Sequence, residues 1–173
     1  MRLILVTFAV ACAPMAVAQQ HDHAAPACAA LDAALPAGLE DWNGGAPLKT
    51  VGKGAELTDT LVTTGKGYAA LLGRTTSIYL PVAPGKPGGS VSYSGVFAIT
   101  VPQAGNYTVA LSTAAWIDVV EDGKALEPIT FGHGPECTTI RKMVVYSLKA
   151  GRHVLQIAGS GAETTKLLVA KQP

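Results

Sequence analysis

Apolar side chains recur at every second position between Val91 and Val101. Val91, Tyr93, Gly95, Phe97, Ile99 and Val101 share one face, and Ser92, Ser94, Ala98 and Thr100 the other. A period of two belongs to a strand with one buried face, because successive side chains of a strand point to opposite sides, whereas a helix repeats every 3.6 residues. The same pattern continues downstream. Pro102, Gln103, Ala104 and Gly105 turn the chain into a second alternation through Tyr107, Val109, Leu111 and Thr113. Trp116 to Val120 forms a further run, closed by Glu121, Asp122, Gly123 and Lys124, a hairpin-type turn whose Asp-Gly pair accepts positive φ at little cost. Ser77 to Val82 is a short β-prone run followed by a Pro- and Gly-rich loop from Ala83 to Gly89. Ile140 to Leu148, His153 to Ala158 and Lys166 to Ala170 complete the series. Short strands joined by Gly-containing turns predict an all-β fold, an antiparallel β-sandwich or jelly roll over residues 55–173.

Upstream of this region the sequence has no period. Residues 19–26 are polar and read as a flexible tail. Ala27 to Leu35 suits a short helix stopped by Pro36, or an irregular segment. Asp41 to Gly54 is an irregular lead-in rich in Gly and Pro. The first 18 residues have the form of a secretory signal peptide: Arg2, an apolar run from Leu3 to Ala13, and a small-x-small site at Ala16, Val17 and Ala18. That run is well short of the roughly 20 residues a membrane-spanning helix needs, so no transmembrane segment is expected. A competing reading takes Ala9 to Cys12 as the lipobox of a bacterial lipoprotein, with Cys12 acylated. Cleavage after Ala18 removes Arg2 and brings the formal charge from +1 to zero, which gives no electrostatic reason to bind nucleic acid. The expected location is periplasmic or secreted.

In an oxidising compartment Cys28 and Cys137 are expected to form a disulfide. The alternative keeps Cys137 as a thiolate beside His133.

The strings Phe97 to Leu111 (FAITVPQAGNYTVAL), Ile117 to Gly123 (IDVVEDG) and Tyr146 to Ile157 (YSLKAGRHVLQI) resemble the strand-and-turn pattern of carbohydrate-binding-module and PA14-like β-sandwich domains. In those families a strand ends in an Ala-Gly-x-Tyr turn and a Leu-x-Ala-Gly-x-His turn leads into a late strand. The resemblance implies a sandwich and, more distantly, a glycan or other small-molecule ligand. Lys86 to Tyr93 (KPGGSVSY), Ala115 to Val120 (AWIDVV), Gly132 to Cys137 (GHGPEC) and Ile140 to Met143 (IRKM) also resemble short secreted bacterial proteins, some of which carry the name homogentisate 1,2-dioxygenase. The enzyme of that name is a much longer cytoplasmic cupin with a His and Glu iron site. Only His133 and His153 follow the tail here, so the residues point away from that chemistry.

Three groups of residues carry candidate chemistry. His21, third from the new N-terminus, would let the amine, two amides and its imidazole hold Cu(II) or Ni(II) in a square plane, with His23 as a further ligand. His133, Glu136 and Cys137 would offer imidazole, carboxylate and sulfur to zinc or copper, whereas a bridged Cys137 makes the same loop a plain turn. Trp42, Tyr93, Tyr107 and Trp116 supply aromatic faces for a ligand, Trp42 the most exposed of them by its polar setting, with Asp118 as acceptor for hydroxyl groups; Trp116 and Tyr107 suit the core equally well. No catalytic constellation is apparent: Ser160 lies in Gly-Ser-Gly without a nucleophile elbow, and Gly85 to Gly89 precede no helix. The sequence therefore predicts a non-catalytic binding or accessory module for a small molecule or glycan, possible partners being other envelope proteins, with a copper-, nickel- or zinc-binding protein as the alternative.

Overall fold

The computed structural model describes residues 28–52 and 57–173. Twelve strands follow in chain order: β1 (Ala46–Lys49), β2 (Leu61–Thr63), β3 (Gly67–Leu71), β4 (Gly73–Arg74), β5 (Tyr93–Val101), β6 (Gly105–Leu111), β7 (Trp116–Glu121), β8 (Lys124–Ala125), β9 (Thr130–Gly132), β10 (Lys142–Leu148), β11 (Gly151–Ser160) and β12 (Thr164–Lys171). One sheet has the order β1-β3-β12-β6-β10-β9 and the other β2-β5-β11-β7-β8, with β4 also pairing β5. The two sheets pack into an all-β sandwich, as the alternating runs predict. The sheets are mixed rather than wholly antiparallel, because β1 runs parallel to β3 and β2 parallel to β5.

The core lies between the sheets. Phe97, Ile99 and Val101 of β5, Leu155 and Ile157 of β11, and Ile117 and Val119 of β7 meet Tyr107, Val109, Leu111, Val144, Tyr146, Leu167 and Val169 of the opposite sheet. The face of β5 that alternation assigns to the core is therefore the one that packs there. Most of its other face is buried as well, Ser94 and Ala98 being fully enclosed while Thr100 is exposed. Each sheet is covered on its outside by a segment without regular structure.

Residues 28–45 lie across the outside of the first sheet. Leu39 and Trp42 pack on Ala110, Ile140, Leu168 and Ala170 in a second apolar cluster. The segment is fastened at Cys28, disulfide-bonded to Cys137 with the Cα atoms 5.4 Å apart. Asp32 is the second anchor. The Thr139 amide and hydroxyl both donate to its carboxylate at 2.6 Å, and Lys166 Nζ lies 3.5 Å away. Burial works against the Asp32 carboxylate, but the Thr139 hydrogen bonds and the Lys166 charge outweigh it and hold the carboxyl below its ordinary range. The helix expected up to Leu35 does not form over its described part. Asp32 stands at φ 59°, and its N–H donates across the chain to the Cys137 carbonyl at 2.9 Å instead of within a helical turn. The lead-in likewise joins the sheet earlier than its composition suggests, through β1.

The second sheet is crossed on its outside by residues 78–90. Val82 N–H donates to Gln156 Oε1 at 3.2 Å. A Cβ on Gly85 would stand 2.6 Å from the Trp116 ring, so this loop passes the indole where only glycine fits.

Candidate functional site

A cleft of about 600 Å³ runs along β7 and β10, where the edges of the two sheets face each other. Trp116, Ile117 and Asp118 come from β7 and Lys142, Val144 and Tyr146 from β10. Glu127, Pro128, Phe131 and His133 of the β8–β10 connection, with Arg141, line another wall, and Lys86, Gly88 and Gly159 a third. The volume lies within the range of small-molecule sites, and the lining is largely apolar.

Trp116 is locked in place by its own strand. Its Nε1–H donates to Asp118 Oδ1 at 2.8 Å, and Gln156 Nε2 donates to the other carboxylate oxygen at 2.9 Å. Gln156 sits opposite Asp118 in the β11–β7 register, and its carbonyl oxygen takes the Val82 N–H of the covering loop. Burial pushes the Asp118 carboxyl above its ordinary range despite these two hydrogen bonds. With both oxygens accepting, Asp118 positions Trp116 and is buried at the wall of the cleft. Tyr146 is tied across the sandwich, its hydroxyl donating to the Ile117 carbonyl at 2.8 Å. Burial, then the nearby Asp118 charge, raise this phenol far above its usual range, so it stays protonated.

His133 lies at the exposed rim, with Nδ1 3.2 Å from the Arg141 carbonyl. A carbonyl only accepts, so this contact places the proton of the neutral ring on Nδ1 and leaves the lone pair on Nε2. Phe131 is 68% exposed and carries Lys142 Nζ over its ring at 4.8 Å.

The structure thus brings together Trp116, Asp118 and His133 and separates the other candidates. Trp42 is not an exposed platform. It is 1% exposed on the far side of the first sheet, its Nε1–H donating to Thr139 Oγ1, because the segment carrying it packs on Leu168 and Ala170. Tyr93 lies on β5 outside the cleft, under the Arg74 guanidinium at 5.0 Å. Tyr107 is fully buried and donates to the Gln103 carbonyl. Cys137 offers no thiolate, being bridged to Cys28. His21 and His23 lie outside the described residues. Among the described residues, no group of three or more His, Cys, Asp or Glu side chains could hold a metal ion. Ser160 donates to the Ala162 carbonyl within its own turn.

Lys86, Phe131, Arg141, Lys142 and Tyr146 are cleft residues that sequence reasoning passes over. Lys86 reads as part of a turn. Phe131 lies in a three-residue strand, and only its pairing with Val144 sets it beside the cleft. The chain matches no family model, and no curated protein matches it.

Proposed function

We propose that this chain is an exported, non-catalytic binding module whose ligand site is the cleft along β7 and β10. The observation that carries the reading is the Trp116 indole, held by Asp118 as one wall of a largely apolar space of about 600 Å³. A rigid aromatic wall in a preformed cleft binds a small molecule without the entropy cost of ordering a loop. The non-catalytic part is supported by the engagement of the two buried polar side chains of the lining: both oxygens of Asp118 accept hydrogen bonds, and the Tyr146 hydroxyl donates to a main-chain carbonyl. Export is supported by the signal-like N-terminus and by the Cys28–Cys137 pair, since disulfides persist in oxidising compartments. No helix among the described residues is long and apolar enough to cross a membrane.

Two measurements test this. The protein isolated from its native host is expected to have the intact mass of a chain starting at Gln19 with one disulfide; a mass that includes residues 1–18 would refute export with cleavage. Native mass spectrometry against a panel of small metabolites and oligosaccharides is expected to find a ligand that Trp116→Ala no longer retains. A ligand bound equally by that variant would place the site elsewhere.

A further inference from the structure

We infer that the occupant of the cleft is a small organic anion, an apolar body bearing one carboxylate, and not a neutral sugar; this rests on the cleft being the ligand site. Three cations from two stretches of chain converge on it: Lys86 from the loop over the second sheet, and the neighbours Arg141 and Lys142 at the start of β10. Among the described residues, neither Lys86 nor Arg141 takes part in an ion pair, and Lys142 rests on the face of Phe131. Two carboxylates line the same space. Asp118 is buried with both oxygens engaged, and Glu127 is the only exposed one. A ligand entering here meets unpaired positive charge at the rim and an apolar interior formed by Trp116, Ile117, Val144 and Tyr146.

Lys86, Arg141 and Lys142 outnumber the one exposed carboxylate of the lining, Glu127. A sugar ring needs several convergent acceptors for its hydroxyl hydrogens, whereas here the carboxylate beside the indole is buried and held by Trp116 and Gln156, and the exposed side-chain acceptors are Glu127 and His133 Nε2. A carboxylate needs donors, which a guanidinium and an ammonium supply in charge-assisted form. An apolar body stacked on Trp116 with its carboxylate turned outward satisfies both halves of the cleft.

The test uses 2-naphthoate, its neutral counterpart 2-naphthamide, and cellobiose. Binding is followed at the indole N–H signals of the two tryptophans in proton–nitrogen NMR, assigned with Trp116→Phe. Naphthoate is expected to move the Trp116 signal and leave that of Trp42 in place. The amide is expected to bind at least about 10-fold more weakly, and the double variant Lys86→Ala, Arg141→Ala to lose a similar factor for naphthoate alone. Equal affinity for acid and amide, or an unchanged double variant, would overturn the anion inference and leave the cleft standing as a site. Cellobiose moving Trp116 while naphthoate does not would do the same. If none of the three probes shifts the Trp116 signal at millimolar concentration, the anion inference and the cleft reading fall together.

Discussion

Trp116 and Asp118 stand two residues apart on the same face of β7, and the indole N–H of one closes on a carboxylate oxygen of the other at 2.8 Å. The pair is the end of a chain of hydrogen bonds that passes through Gln156 to the main chain of the covering loop at Val82. Asp118 is the shared acceptor, so removing it leaves both the Trp116 and the Gln156 donor without a partner.

Asp118→Ala is therefore expected to cost about 1–3 kcal/mol, because the half-buried Trp116 donor and the buried Gln156 donor both lose their acceptor. Asp118→Asn is expected to be destabilising too, by about 1–2 kcal/mol. An Asn amide facing Gln156 needs the glutamine oxygen, which Val82 already uses. Urea denaturation of both variants checks this ordering, and an asparagine variant as stable as the parent would show that the network re-pairs freely.

Replacing both Cys28 and Cys137 by Ser, a pair separated by 109 residues, is expected to lower stability by about 2–5 kcal/mol. The loss should appear equally when the parent protein is unfolded with a reductant present. Equal denaturation midpoints with and without reductant would mean that the bridge contributes nothing beyond the Asp32–Thr139 anchor.

The two perturbed aspartates predict opposite responses to acid. Asp32 is held below its unfolded value of about 3.8, so its contribution is present above that value and is lost as pH falls through its lower folded value. Asp118 is raised above the same reference, so its contribution is present below about 3.8 and is lost as pH rises through its higher folded value. Asp32→Asn should accordingly flatten the acid side of a stability–pH curve measured by denaturant titration. An acid limb unchanged in that variant would remove Asp32 from the account.

Trp42→Ala is expected to be among the most destabilising single changes, about 3–5 kcal/mol, since the ring is the largest fully enclosed side chain of the molecule. It should leave the Trp116 indole signal almost unmoved, because the two rings lie on opposite sheets. Gly85→Ala should do the reverse, shifting the Trp116 signal strongly by forcing a methyl against the ring. Thermal unfolding and the NMR spectrum of each variant separate the two effects.

The contrast between these tryptophans shows what can be read from residues alone. Trp116 belongs to an alternating run, and local periodicity is enough to place it on a strand beside Asp118. Trp42 lies in a polar, Gly-rich stretch whose composition suggests exposure; its burial comes from Leu168 and Ala170, more than 120 residues away, which no local signal announces. The same holds for the second buried face of β5, for the parallel pairing of β1 with β3 and of β2 with β5, and for the cations of the cleft. Lys86 and the adjacent pair Arg141 and Lys142 are unremarkable where they stand in the sequence, and Lys86 meets the pair only through the docking of a loop on a sheet edge. The cysteine pair was legible because it needed only counting.

The position of β12 sets the order in which this molecule can be completed. The last strand in the chain lies in the middle of its sheet, with β3 on one side and β6 on the other. During synthesis from the N-terminus, β1 with β3, and β6 with β10 and β9, can form only two separate ribbons, each with a bare edge awaiting the same final strand. A nascent chain stopped between the end of β11 and Thr164 would expose both edges at once, so aggregation should be worst for truncations that remove only β12, even though they retain eleven of the twelve described strands.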